Sequence, residues 1–289
     1  MARKYITEQL KSEIREYYKT RPMGLKTLRE EFGLSNPTLI KILGDIPRWP
    51  KTVVFNPNLN EDYFQNVDNE IKAYFIGLLI SDGNVFVPKN GGSKSTSITL
   101  DKEDKYILEI FRKELGANNI VANDGRGCCY MAIRSNKIAN DLSMYGIVPR
   151  KSLITYLPKN IDNGLMRHVI RGILDGDGNL YMKQTKSRHL HRVSFAGSHR
   201  LMEDIAIYLH ENDIIHMAPK VYDYQDRNLS ELKIQSIEDV HNFLSWIYDD
   251  ATLFMERKHD KYNVFLDYYH LKQGNTEVSS GIAKGSETP

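Results

Sequence analysis

Gly77-Leu78-Leu79-Ile80-Ser81-Asp82-Gly83-Asn84 recurs 95 residues further on as Gly172-Ile173-Leu174-Asp175-Gly176-Asp177-Gly178-Asn179. Both copies keep Gly-x-Leu-x-x-Asp-Gly-Asn, and a hydrophobic–aromatic pair follows each, Val85-Phe86 and Leu180-Tyr181. Phe75, Leu78 and Leu79 stand at i, i+3 and i+4, as do Ile170, Ile173 and Leu174. That spacing predicts one helix leading into each Asp-Gly. Gly77 and Gly172 fall inside the apolar faces, where glycine costs about 1 kcal/mol relative to alanine. Two equivalent costs imply two helices approaching so closely that a side chain would block them, a seam between two lobes. Gly83 and Gly178 are expected to end the helices in the left-handed conformation.

The acids Asp82 and Asp177 then lie at helix C-termini, where the dipole presents negative potential. Two such ends brought together repel unless a cation bridges them. Oxygen donors without His or Cys select Mg2+, with Mn2+ as substitute, over zinc. A metal site on a pseudo-twofold axis suits the cutting of a twofold-symmetric polymer. One Asp-Gly-Asn alone reads as turn chemistry at a helix stop; its duplication weakens that reading.

The flanking sequence repeats as well. Asp68 can cap a helix over 69–81, and Asp162 or Asn163 a second over 164–176. Strands are expected at 85–88, 96–100, 120–122 and 130–134, then at 180–185, 192–195, 220–224 and 231–237. Helices are expected between them at 105–115 and 201–212. The fold class is therefore α+β: two pseudo-symmetric αββαββα lobes, 68–155 and 156–271, packed through the motif helices and carrying antiparallel sheets. An offset this long excludes a solenoid.

Residues 1–46 form a helical module, with helices expected at 7–19, 25–32 and 36–43. Gly33 suits a tight interhelical turn and Pro37 a first turn. Leu25, Leu28, Phe32, Leu34, Leu39, Ile40 and Leu43 are the expected core of its last two helices. This arrangement resembles a helix-turn-helix, with Asn36, Thr38 and Lys41 on the face offered to a major groove; a plain packing hairpin would show the same pattern. Prolines and asparagines make 47–67 a linker, and the polar composition of 272–289 suggests a disordered tail.

The chain has 289 residues, 41% hydrophobic and 26% charged, with a net charge of +2. Its sum of charge announces no polyanion partner, although basic surfaces can hide behind acidic ones. The two cysteines, Cys128 and Cys129, are adjacent, which offers neither a disulfide framework nor zinc spacing. No apolar run is long enough for a membrane span, and the first residues lack a signal-peptide core. A non-secreted protein is expected: cytoplasmic or nucleoid-associated in a prokaryote or phage host, or organellar.

The segments 75–83 and 170–178 resemble the two signature helices of a single-chain LAGLIDADG homing endonuclease, and the order of elements from about 68 to 269 is similar too. The resemblance implies a monomeric, intron-type, Mg2+-dependent DNA endonuclease. It makes Asp82 and Asp177 metal ligands and catalytic residues, with the carbonyls of Ser81 and Gly176 as further metal ligands. Ile80 departs from the acid many members carry there, while Asp175 retains it. The resemblance also implies an active-site lysine in each half. Lys258 matches best in the second, with Lys261 as fallback, and Lys151 matches in the first.

The implied substrate is double-stranded DNA straddled by the sheets, with alternate side chains reaching bases. Candidate DNA-binding residues are Lys94, Thr96, Arg126 and Arg134 in the first lobe. In the second they are Lys183, Thr185, Ser187, Tyr222, Tyr224, Lys233 and Gln235. The implied product is a staggered break with 3′ overhangs at a long asymmetric target. A non-cleaving DNA-binding regulator is the first alternative and an RNA-binding maturase the second, which adds intron RNA to the expected partners. Intein activity is not expected, since the chain begins with Met, and His241-Asn242 lacks the second histidine of an HNH nuclease.

Overall fold

The structure, a computed structural model, describes residues 6–49, 56–89, 91–184, 189–224, 226 and 228–282. Its backbone divides into two compact units, 1–61 with 112–120 and 62–111 with 121–289.

Among its described residues the first unit wholly contains three helices, α1 (Glu8–Thr20), α2 (Leu25–Phe32) and α3 (Asn36–Leu43). Thr7 and Ser35 cap α1 and α3 through their hydroxyls, and Gly33 ends α2 at φ 63°. Ile14 and Tyr18 of α1 join Leu28, Leu34, Leu39, Ile42 and Leu43 in one core. Ile40, expected inside, is 48% exposed. Leu39, Ile42 and Leu43 make the i, i+3, i+4 stripe instead, because α1 covers that side of α3.

The first lobe runs α4 (Glu70–Ser81), β1 (Gly83–Phe86), β2 (Ser95–Asp101), α5 (Lys105–Glu114), β3 (Ala122–Asn123), β4 (Cys128–Arg134) and α6 (Asn136–Ser143), all in the second unit except the end of α5 from 112 onward. The second lobe runs α7 (Met166–Asp177), β5 (Gly178–Gln184), β6 (His189–Gly197), α8 (His199–Glu211), β7 (Lys220–Tyr224), β8 (Leu229–Ile234) and α9 (Ile237–Tyr248). Each lobe is αββαββα as expected, and each sheet is antiparallel with the matching order β1-β2-β4-β3 or β5-β6-β8-β7. Asn69, rather than Asp68, caps α4, and Asp162 caps a 3-10 turn that leads into α7. A final helix, α10 (Glu256–Ile282), carries helical backbone through the first part of the expected tail. Propagation adds a hydrogen bond for each residue fixed and so outruns weak composition once a helix is nucleated.

One face of each sheet packs on its helices. Val85, Ile98, Leu100, Met131 and Ile133 are buried in the first, and Val193, Phe195, Leu232 and Ile234 in the second. The other face is open.

Candidate active site and nucleic-acid interface

The glycine seam between α4 and α7 places the rest of the site. A Cβ on Gly77 would collide with the carbonyl of Val169, and one on Gly172 with the carbonyl of Tyr74. Alanine at either position would therefore push on backbone, which cannot rotate away. Gly77 and Gly172 lie where α4 and α7 cross, as their shared cost implied. Gly176 repeats the arrangement at the foot of the seam, where a Cβ would meet Ser81 Oγ and Asp82 Oδ2. Asp82 thus lies against the residue that precedes Asp177, and the two acids converge.

Gly83 and Gly178 behave differently from expectation. Neither is left-handed; Gly178 is extended at φ −91°, ψ 162°. A Cβ on either would collide with the carbonyl of Leu79 or Leu174. They are glycines because each strand leaves its helix abruptly, turning back against the last helical turn.

Two lysines close the ends of the motif helices. Lys151 is 5% exposed and donates from Nζ to the carbonyls of Ile80 at 2.7 Å and Ser81 at 3.1 Å. Lys258 is 4% exposed and donates to the carbonyls of Leu174 and Gly178, the latter at 2.7 Å. The last carbonyls of a helix have no intrahelical partner and lie at the negative end of its dipole. Lys151 answers one such end, while Lys258 adds to the Leu174 carbonyl, which already accepts the Gly178 N–H, and to the first carbonyl of β5. The Ser81 carbonyl, expected to face a metal, is thereby engaged by an ammonium. Lys261 is exposed.

The electrostatics follow from this packing. The Asp82 carboxyl is pushed up to about 6, first by burial and then by Asp177. Asp177 is raised by the protein packed around it, with Lys151 and Lys258 opposing. Burial lowers Lys151 and brings Lys258 down to about 8, against the pull of nearby acids. Among the described residues no three His, Cys, Asp or Glu side chains converge. The donor set is two carboxylates. That set fits a hard divalent ion that also takes water and phosphate oxygens, and such an ion would relieve the mutual repulsion that raises Asp82.

Further up α7 lies a buried polar network that the periodicity of that helix concealed. Arg171, 0% exposed, donates to Glu70 at 2.6 Å, to His168 Nδ1 at 2.9 Å and to the carbonyls of Ile247 and Leu253 at 2.7 and 2.9 Å. Burial and the adjacent Arg171 bring His168 down to about 4, so it accepts as a neutral ring. Burial alone would raise Glu70, but the Thr252 N–H and Arg171 outweigh it and its carboxyl lies low. An arginine four residues before Asp175 in an apolar run was the available signal.

On the open faces, Tyr222, Tyr224 and Lys233 are brought together. Lys233 Nζ stands 4.5 Å from the Tyr222 ring centre, 3.2 Å from the Tyr224 hydroxyl and 2.7 Å from Glu231. Arg134 and Lys183 are exposed, Gln235 is exposed just beyond β8, and Arg126 is exposed in the β3–β4 turn. Thr185 and Ser187 lie outside the described residues. One expectation is corrected. Thr96 is 4% exposed and points to the helix side with Ile98 and Leu100, so Ser95, Ser97 and Thr99 take the outer positions. Lys94, half-buried just before β2, donates to Asn140 Oδ1 of α6 at 2.6 Å. Arg192 was missed. It pairs in register with Tyr181, its guanidinium 5.3 Å from that ring centre. In the first unit Asn36 and Lys41 are exposed, and the Thr38 hydroxyl lies 2.8 Å from Ser35 Oγ.

No protein-family model matches the chain, and no curated protein does. Solved structures do. Meganuclease I-SmaMI bound to uncleavable DNA with a TTCT central four superposes with a TM-score of 0.53 at 13% identity, over 73% of this chain and 97% of that one. LAGLIDADG meganuclease I-AabMI bound to uncleaved DNA gives 0.52 at 14% identity, over 75% and 96%. The fold is the two-lobe LAGLIDADG fold. No helix among the described residues is long and apolar enough to cross a membrane.

Proposed function

We propose that this protein is a homing-type, site-specific DNA endonuclease that makes a metal-dependent staggered double-strand break at a long asymmetric target. The observation that carries the reading is the pair of acids, Asp82 and Asp177, converging where two helices touch through glycine, with a buried lysine at each helix end. A turn kept for structure alone would not need the second acid.

Asp82 and Asp177 would hold Mg2+, or Mn2+ in its place. Such an ion, when bound, lowers the pKa of an attacking water and steadies the leaving oxygen. The chain's own residues do the rest. Lys151 and Lys258 are fixed by main-chain carbonyls, so their ammonium charge needs no reorganisation as charge develops on a phosphate, the condition under which such groups contribute most. The open sheet faces bind the duplex. Arg126, Arg134, Lys183, Lys233 and Arg192 supply cations for phosphates and guanines, and Tyr222 and Tyr224 supply planar surface. Because the two faces differ in sequence, the target need not be palindromic.

The test is cleavage of a randomised duplex library with Mg2+ or Mn2+, followed by sequencing of the cut products. Asp82→Asn and Asp177→Asn are expected to bind the recovered site and fail to break both strands. A wild-type chain that binds a duplex tightly and never cuts it with either ion would replace this reading by the regulator.

A further inference from the structure

Asp175 stands two residues before Asp177, outside the pair of acids proposed to hold a metal, and is fully buried. A buried carboxylate persists only where its oxygens are satisfied. Here three donors meet it, from three different elements. Oδ2 accepts the Tyr74 hydroxyl of α4 at 2.9 Å and the Met255 backbone N–H at 2.7 Å, and Oδ1 accepts the Tyr248 hydroxyl at the end of α9 at 2.9 Å. Met255 is the pivotal partner. Its carbonyl accepts the N–H groups of Lys258 and His259 at 2.9 and 3.0 Å, so it opens the first turn of α10. Lys258 lies in that turn, and its ammonium returns to the carbonyl of Leu174, the residue before Asp175. The chain of contacts closes on itself: Asp175, Met255, Lys258, Leu174.

The first-lobe contacts tighten the same turn. Arg257 pairs with the buried Asp104 at 2.9 Å, and the Glu256 N–H donates to the Tyr106 hydroxyl at 2.6 Å.

Among the described residues the first site has no such anchor. The residue equivalent to Asp175 is Ile80, apolar and buried. Lys151 is delivered by a 3-10 turn that follows Arg150 in the left-handed conformation at φ 58°. Its ammonium reaches its carbonyls from a turn that, among the described residues, has no counterpart to the Asp175–Met255 hydrogen bond.

We propose that Asp175 is a positioning residue for Lys258, and that it makes the two lysine centres unequal, so that the two DNA strands are cut through differently organised sites. The strand inequality rests on the endonuclease reading above; the positioning of Lys258 does not.

The experiment uses the full chain and the variants Asp175→Asn and Tyr248→Phe, with melting curves to confirm that each is folded. In free protein, competitive acetylation read by mass spectrometry reports each lysine. In Asp175→Asn, Lys258 is expected to gain reactivity of about tenfold or more while Lys151 stays as in wild type, and Tyr248→Phe is expected to give a smaller change of the same kind. With Mg2+ and a duplex recovered from the random library, labelled on each strand in turn, single-turnover cleavage of one strand should slow by about ten- to a hundredfold, the range that follows from misplacing a positioned group by about 1 Å. The other strand and the DNA affinity should hold. Equal slowing of both strands, or a Lys258 as protected in the variants as in wild type, overturns the proposal. If wild type cuts no duplex, the endonuclease reading fails on its own, and the acetylation pattern still decides the positioning of Lys258.

Discussion

Gly172→Ala is the sharpest probe of the seam. The new Cβ would lie 2.8 Å from the Leu78 backbone nitrogen and 3.1 Å from the Gly77 carbonyl carbon, besides colliding with the Tyr74 carbonyl oxygen, whereas ordinary contact begins at 3.4 Å. All three atoms are backbone of α4, so no rotamer change relieves them and the helices must part by more than half an ångström. Overpacking a core costs about 1–3 kcal/mol, more when nothing can yield, and alanine returns up to about 1 kcal/mol of helix propensity. The net expectation is a loss of about 2 kcal/mol, or roughly 4–8 °C in melting temperature for a unit of this size. Urea and thermal unfolding measure it, with Trp49→Phe as background so that Trp246 reports the second unit alone. Activity should suffer more than stability, because Asp82 sits against Gly176 at the foot of the same seam and moves with it. Melting unchanged to within about 0.5 kcal/mol, the usual scatter of harmless substitutions, would refute the close-approach argument.

Three further outcomes follow from the same geometry. The raised Asp82 carboxyl means the folded chain holds that proton more tightly than the unfolded chain, so metal-free stability should fall as pH rises from near 3.8 towards about 6 and level off above. Asp82→Asn should flatten that descent in a pH series of melting curves, and Mg2+ at neutral pH should raise the melting temperature of wild type but not of the variant. Arg171→Met strands Glu70 in a partly buried position, and a broken buried pair costs about 3–5 kcal/mol, which denaturant titration should find with little change in DNA specificity. If the α3 face touches DNA, Lys41→Ala should weaken binding and lower the slope of log affinity against log salt by about 1, leaving the cleavage rate at saturation unchanged; an unaltered slope returns the first unit to a packing role.

Residue chemistry and period made most of the scaffold legible. The 3.6-residue stripe, the glycines within it and the strand alternation located both lobes, because those patterns are local consequences of backbone geometry. Even Thr96 was within reach: Ile98 and Leu100 set the phase of β2, and a strand cannot turn one residue against its own alternation. Gly83 and Gly178 were harder. A glycine after a helix is common to a left-handed cap and to a sharp exit into a strand, and only the position of the next strand distinguishes them.

By itself, then, the sequence determined a duplicated helix–sheet lobe, a glycine seam and two acids at its foot. Tertiary structure alone decided that Lys151 and Lys258 end on main-chain carbonyls, that Asp175 anchors the turn carrying one of them while Ile80 leaves the other without a counterpart, and that Arg171 is buried among acceptors from three segments. The reason is physical. Periodicity reports which face of an element is apolar, whereas a buried charge is held by partners far apart in sequence, such as the 80 residues between Asp175 and Met255, and no local pattern carries that distance.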